Sequence, residues 1–203
     1  DHFEAQAAKD AVVMASGALK TVAVSLFKIA NDIRFLGSGP TSGIAELRIP
    51  DLQPGSSIMP GKVNPVMSEM LMQVAAQVIG NDATITWCGA NGNFELNVMM
   101  PVMAHALLQS IEILANAVDT FRRRCVEGLE ANVERARELV EKNAIIVTAL
   151  NPYIGYDAGA RIAKEAVTSG RSVRELVLEQ GLMTEEELDA ALDIKRMTQG
   201  GVM

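Results

Sequence analysis

The 203-residue sequence is 49% apolar and only 4% aromatic, and its 18 Lys and Arg stand against 25 Asp and Glu for a formal charge of -7. This is enough apolar material to bury a sizeable core in one or two domains. It excludes a disordered tail and leaves no general basic field to hold nucleic acid or an anionic membrane surface. Two distant cysteines, Cys88 and Cys125, form no CxxC pair and have no His-rich neighbours, which argues against a disulfide framework or a zinc site and fits a reducing cytoplasm.

In chain order, Asp1-His2-Phe3-Glu4 lacks the basic stretch and apolar run of a secretory signal. Asp1 and Glu4 have capping-box spacing, and Leu19, Val22, Ala23, Leu26, Ala30 and Ile33 keep helical phase, so one long helix is predicted up to Gly37. From Gly37 to Gly61, glycines and the prolines Pro40, Pro50, Pro54 and Pro60 erase periodicity. The resulting loop is longer than compact domains usually carry without a purpose. Asn64-Pro65 reads as an N-cap followed by a first-turn proline, opening a second helix whose Met67, Leu71, Val74 and Val78 face inward.

After a break at residues 89–92, a third helix is predicted over 94–124, with Val102, Ala106, Ile111, Leu114, Val118 and Phe121 buried and Pro101 as a kink. A shorter helix near 132–143 carries Val133, Ala136 and Val140, and Asn151-Pro152 marks a boundary. Beyond it, Gly170 closes a helix, and Ser172 with Glu175 and Thr184 with Glu187 are capping boxes opening two more across Gly181. The fold class expected is all-α: a long-helix bundle over residues 1–147, then a small helical domain over 148–203. The longest apolar run, near 98–108, is interrupted by Pro101 and His105 and falls short of the roughly 20 residues a bilayer span needs, so a soluble protein is expected.

The segment with the most chemistry is Gly55-Ser56-Ser57-Ile58-Met59-Pro60-Gly61-Lys62-Val63-Asn64-Pro65. It places hydroxyls, a cation and a helix N-terminus within a few residues, a composition suited to an anion such as a carboxylate. A phosphate-binding P-loop is excluded by the wrong glycine spacing, Val63 in place of a hydroxyl residue, and the absence of a preceding strand pattern. Composition alone leaves two readings open, an anion site and an ordinary Gly/Pro-rich linker with a solvated lysine. His105, in an apolar helix, reads as a core residue, His2 as a chain-end residue, and the Met run of Met67, Met70, Met72, Met99, Met100 and Met103 as core filling with no metal site. Arg122, Arg123 and Arg124 read as a solvated helix end.

GSSIMPGKVNP resembles the signature loop of the fumarase/aspartase superfamily along its whole length, and KIANDIRFLGSGPTSG, AAQVIGND, NGNFELNV and TALNPYIGYD extend the resemblance in order along the chain. Gly61 and Asn91-Gly92-Asn93-Phe94-Glu95 look like class II fumarase, where aspartases differ; aspartate ammonia-lyase is the competing reading. The resemblance implies reversible hydration of fumarate to L-malate without a cofactor. It makes Ser56 the base at C3 and Ser57, Lys62, Val63 (through its backbone) and Asn64 the carboxylate-binding groups. Glu69 becomes the partner of a catalytic histidine. It also implies a homotetramer with active sites shared between subunits, and a preceding N-terminal half supplying the histidine that neither His2 nor His105 replaces, so the chain alone is expected to be inactive. The alternative of another kind is a non-catalytic helical oligomerisation fragment, for which Ser56, Lys62 and Asn64 together would have no use.

Overall fold

A computed structural model describes residues 1–199 and divides into two compact units, meeting in sequence at Ala131 and Asn132. The first unit holds α1 (His2–Ala7), α2 (Asp10–Leu36), α3 (Val66–Gly89) and α4 (Met100–Arg124). A two-residue antiparallel ladder pairs β1 (Leu47–Arg48) with β2 (Glu130–Ala131). The expected all-α class holds, these being the two short strands among the described residues.

The bundle is antiparallel because its contacts run in opposite chain directions. Ala30 of α2 packs with Leu71 of α3 and with Ala117, Phe121 and Cys125 at the end of α4; Ala23, Ala75, Val78 and Leu114 form the middle. Ile85, Cys88, Met103 and Ala106 close the far end. Alanines at the α2 contacts let backbones approach closely, and full burial of Leu71 and Ile85 contributes about 2 kcal/mol each. Between the middle and far clusters lies a polar layer. Asp82 accepts from Ser16 Oγ at 2.7 Å and pairs with Lys20. Asn81 Nδ2 donates to Gln109 Oε1 and Ser110 Oγ, both at 3.0 Å. Being directional, these contacts fix the register that small apolar residues alone would leave loose.

Several local expectations are corrected. The helix expected from Asp1 to Gly37 is two helices: Asp1 caps α1, whose chain leaves the helix at the extended Ala8, and Lys9 Nζ donates back to the Gln6 carbonyl at 3.0 Å. No glycine or proline marks that break, so the periodicity reads straight through it. α4 starts at Met100, not Phe94. Asn97 is fully buried, donating to the Cys88 carbonyl and accepting from the Met99 N–H, which ties the end of α3 to the start of α4. Pro101 therefore lies in the first turn, where its missing N–H costs nothing, and produces no kink. His105 is exposed on α4, not a core residue, and Val22, Val102, Ile111 and Val118 are exposed too.

The exposed positions have a pattern. On α4 the buried seam runs through Met103, Ala106, Ser110, Leu114, Ala117 and Phe121, while a second seam of Leu108, Ile111, Ala115 and Val118 at three- and four-residue spacing faces outward. α2 repeats this with exposed Ala15, Ala18, Val22, Ser25 and Ile29 beside buried Ser16, Ala23 and Ala30. A helix on the surface of a finished bundle needs one apolar stripe; these carry two. The doubling makes α2 and the stretch Met100–Gly128 long and apolar enough, by length and composition, to cross a bilayer, which the interrupted run at 98–108 did not reveal.

The second unit is α5 (Val133–Glu141), a 3-10 segment (Ala144–Leu150), α6 (Asn151–Ile154), α7 (Tyr156–Ser169), α8 (Val173–Glu179), α9 (Glu185–Ala191) and α10 (Ile194–Met197). Its own core joins Val147, Leu150, Ile162, Val173, Leu176, Val177 and Leu188. Gly170 ends α7 in the left-handed region, and both capping boxes form as the sequence predicts. The backbone N–H of Ser172 holds the Glu175 carboxyl below the usual glutamate range, and that of Thr184 does the same for Glu187; in each case the cap hydroxyl residue adds a side-chain contribution. Depressed folded-state values mean that this stabilisation is complete above the ordinary glutamate range and is lost as pH falls through the folded values. Thermal unfolding of this unit should therefore show an acid-side decline that Glu175→Gln with Glu187→Gln, which keep the acceptor and remove the titration, flattens; an unchanged pH profile in the double variant would count against the caps.

Candidate active site

Loop 55–65 is a closed ring. The Gly55 N–H donates to the Lys62 carbonyl at 2.7 Å, and Asn64 Nδ2 donates to the Gly55 carbonyl at 2.9 Å. The Lys62 N–H returns to the Met59 carbonyl at 3.3 Å across a turn in which Gly61, at φ 78°, occupies the position that favours glycine. Inside the ring, Ser56 Oγ accepts from the Ile58 N–H at 3.2 Å and the Met59 N–H at 3.1 Å. Two backbone donors converge on one side-chain oxygen, an arrangement that lowers the cost of negative charge there.

Ser57, Lys62 and Val63 are exposed on the ring, while Ser56 and Asn64 are half-buried. Asn64 does not cap the following helix as expected. Pro65 occupies the N-cap position of α3, and the Asn64 side chain is spent on closing the ring. The positive end of the α3 dipole and the Lys62 ammonium thus flank the same short segment, as anion binding requires. The structure brings Ser56, Ser57, Lys62, Val63 and Asn64 together on one ring; Glu69 stands apart, half-buried in the first turn of α3.

Neither histidine reaches Glu69. His105 neighbours Ala106, which packs with Ile85, about 24 Å along α3 from Glu69 at 1.5 Å per residue. His2 belongs to α1, whose Ala7 lies by Gly92 at that same far end. Sequence reading missed the part played by residues 58 and 59. Ile58 and Met59 contribute backbone N–H groups while their side chains are exposed, so residue type carries no signal of the role. Among the described residues, no group of three or more His, Cys, Asp or Glu side chains could hold a metal ion.

Two family profiles match the chain: lyase, over residues 1–80, and fumarase C C-terminus, over residues 146–199. The chain is 56% identical over 201 residues to the class II fumarate hydratase of Mycobacterium tuberculosis, covering 97% of this chain and 42% of that protein. It is 56% identical over 187 residues to the mitochondrial fumarate hydratase of Saccharomyces cerevisiae, covering 92% and 38%. Among solved structures, it matches the fumarate lyase:delta crystallin of Brucella melitensis bound to cobalt at a TM-score of 0.91 with 46% identity, covering 97% of this chain and 43% of that one. The class II fumarase of Schistosoma mansoni matches at 0.87 with 38% identity, covering 95% and 41%. The chain thus spans about two-fifths of the length of the relatives it matches, and it belongs to the class II fumarase family, aligning with the C-terminal half of its members.

Proposed function

We propose that this chain supplies the serine-bearing wall of a class II fumarate hydratase, which reversibly adds water to fumarate to give L-malate. The observation that carries the reading is Ser56 Oγ held by the Ile58 and Met59 N–H groups. A free serine hydroxyl ionises far above neutral pH, and two preorganised donors beside Lys62 and the α3 dipole favour its alkoxide. In the dehydration direction the Ser56 alkoxide takes the C3 proton of malate. The electron pair left behind moves into the adjacent carboxylate, giving a doubly negative aci-carboxylate. It then returns to form the C2–C3 double bond as the C2 hydroxyl, protonated from outside this chain, leaves as water.

Lys62, Ser57, Asn64 and the Val63 backbone bind the substrate carboxylates in this reading, which their shared ring and the exposure of Ser57, Lys62 and Val63 support. Glu69 orients a histidine supplied by another segment. The outward seams of α2 and α4 support assembly as a homotetramer around a shared helical bundle, and the active site is completed across subunits. The polar Ser16–Asp82–Lys20 and Asn81 contacts, lying between the middle and far core clusters, suit such a bundle better than a bilayer. The start of the C-terminal family match at residue 146 supports a functional boundary at 147/148 between bundle and C-terminal domain. The free buried thiols of Cys88 and Cys125 suit a reducing compartment, the cytoplasm in this proposal.

The deciding experiment gives purified protein L-malate and, separately, L-aspartate, and follows the ultraviolet absorbance of fumarate. The chain alone should be silent with both, and the chain joined to the N-terminal half of its Mycobacterium tuberculosis relative should release fumarate from malate only. Fumarate from aspartate would move the assignment to aspartate ammonia-lyase; silence of the joined, assembled protein would leave an oligomerisation fragment.

A further inference from the structure

The ring has a closure point that the proposed chemistry does not itself use. Both backbone polar groups of Gly55, the residue before Ser56, are bonded to the returning arm of the loop: its N–H to the Lys62 carbonyl, and its carbonyl to the Asn64 amide. The fit leaves no room for a side chain, since a Cβ on residue 55 would stand 2.8 Å from Asn64 N and 2.9 Å from the Lys62 carbonyl oxygen. Asn64 is half-buried where Ser57, Lys62 and Val63 are exposed, as suits a group turned partly toward the protein. One of its two amide hydrogens is committed to Gly55, which leaves the other for a ligand.

We propose that Asn64 is a positioning residue for Ser56: by clamping the Gly55 carbonyl it fixes the backbone entering Ser56, so that Oγ stays under the Ile58 and Met59 N–H groups before any substrate arrives. The inference rests on the reading of Ser56 as the base. Ser56 is then held from both sides, by the clamp on its N-terminal side and by the two N–H donors on its C-terminal side. An oxyanion needs its donors in place in advance, since a donor that must reorganise during the reaction contributes far less.

The test uses Gly55→Ala and Asn64→Asp in the complete enzyme. Gly55→Ala forces the ring open while keeping every side chain proposed to touch substrate. Asn64→Asp keeps the shape and removes the donor, but adds a negative charge that by itself disfavours the Ser56 alkoxide, so this variant is read through exchange alone. Both should speed ligand-free amide hydrogen exchange at Ile58 and Met59 by about ten-fold or more. Gly55→Ala should also lower kcat by about a hundred-fold, the cost of a displacement on the order of 1 Å, and move the rising limb of the kcat pH profile to higher pH, because the Ser56 alkoxide loses its donors. In Gly55→Ala, kcat should fall by more than KM rises. If Gly55→Ala fails to fold, Asn64→Asp decides alone through amide exchange at Ile58 and Met59. Unchanged exchange and an unmoved pH limb, with Ser56→Ala inactive, would overturn the clamp and leave the proposed function standing; an active Ser56→Ala enzyme would overturn both.

Discussion

Replacing Ser56 with alanine in the complete enzyme should lower turnover by about 10²- to 10⁴-fold while leaving the assembly and its thermal stability intact, since general-base catalysis typically contributes on that scale. The structure explains why the loss should fall on kcat. Ser56 Oγ accepts two hydrogen bonds from N–H groups of an exposed ring segment, so removing it leaves donors that water can satisfy, not a buried defect. The ring itself is closed by Gly55, Lys62 and Asn64 and does not depend on the hydroxyl. Lys62 and Ser57, the proposed carboxylate-binding groups, remain in place, so KM should change little. Steady-state kinetics with malate and with fumarate, beside a sedimentation measurement of the assembly, check this; near-normal turnover would remove Ser56 as the base.

Much of this architecture was legible where residue type and backbone requirement coincide. Gly170 ends α7 because the cap needs a left-handed residue, and the pairs Ser172–Glu175 and Thr184–Glu187 open helices because each side chain answers an unpaired N–H of the other residue. The candidate loop was legible as a collection of hydroxyls, a lysine and glycines, and its resemblance to a family motif gave those residues proposed roles. Its closure was not. Nothing in the types of Ile58 and Met59 says that their N–H groups meet at one oxygen, and Asn64 followed by proline reads as a helix cap whichever way its amide turns. The break after Ala7 was hidden because Lys9 answers the helix end with its side chain, leaving no glycine or proline to see.

The misreading of α4 has a cause that leads to the other large effect. The predicted buried face combined Ala106, Leu114 and Phe121, which lie in the core, with Val102, Ile111 and Val118, which do not, because two interleaved apolar seams cannot be separated by periodicity alone. The outward seam of Leu108, Ile111, Ala115 and Val118 has heptad spacing, suited to a second helical partner. Ile111 is 46% exposed in the isolated unit, so Ile111→Asp should leave that unit folded. In a tetramer packed through this seam the same change buries a carboxylate against apolar neighbours, a cost on the order of several kcal/mol at each symmetry-related copy. Ile111→Asp, and likewise Val22→Asp on the α2 seam, should therefore shift the complete enzyme from tetramer to smaller species in sedimentation. Activity should fall with it, because the sites proposed to be completed across subunits would come apart. Glu112→Gln, on the same helix but off the seam, should change neither. Retention of the tetramer in both aspartate variants would place the subunit contacts elsewhere and return the second seams of α2 and α4 to the surface; dissociation with retained helicity by circular dichroism would identify the doubled apolar pattern as the assembly code of the bundle.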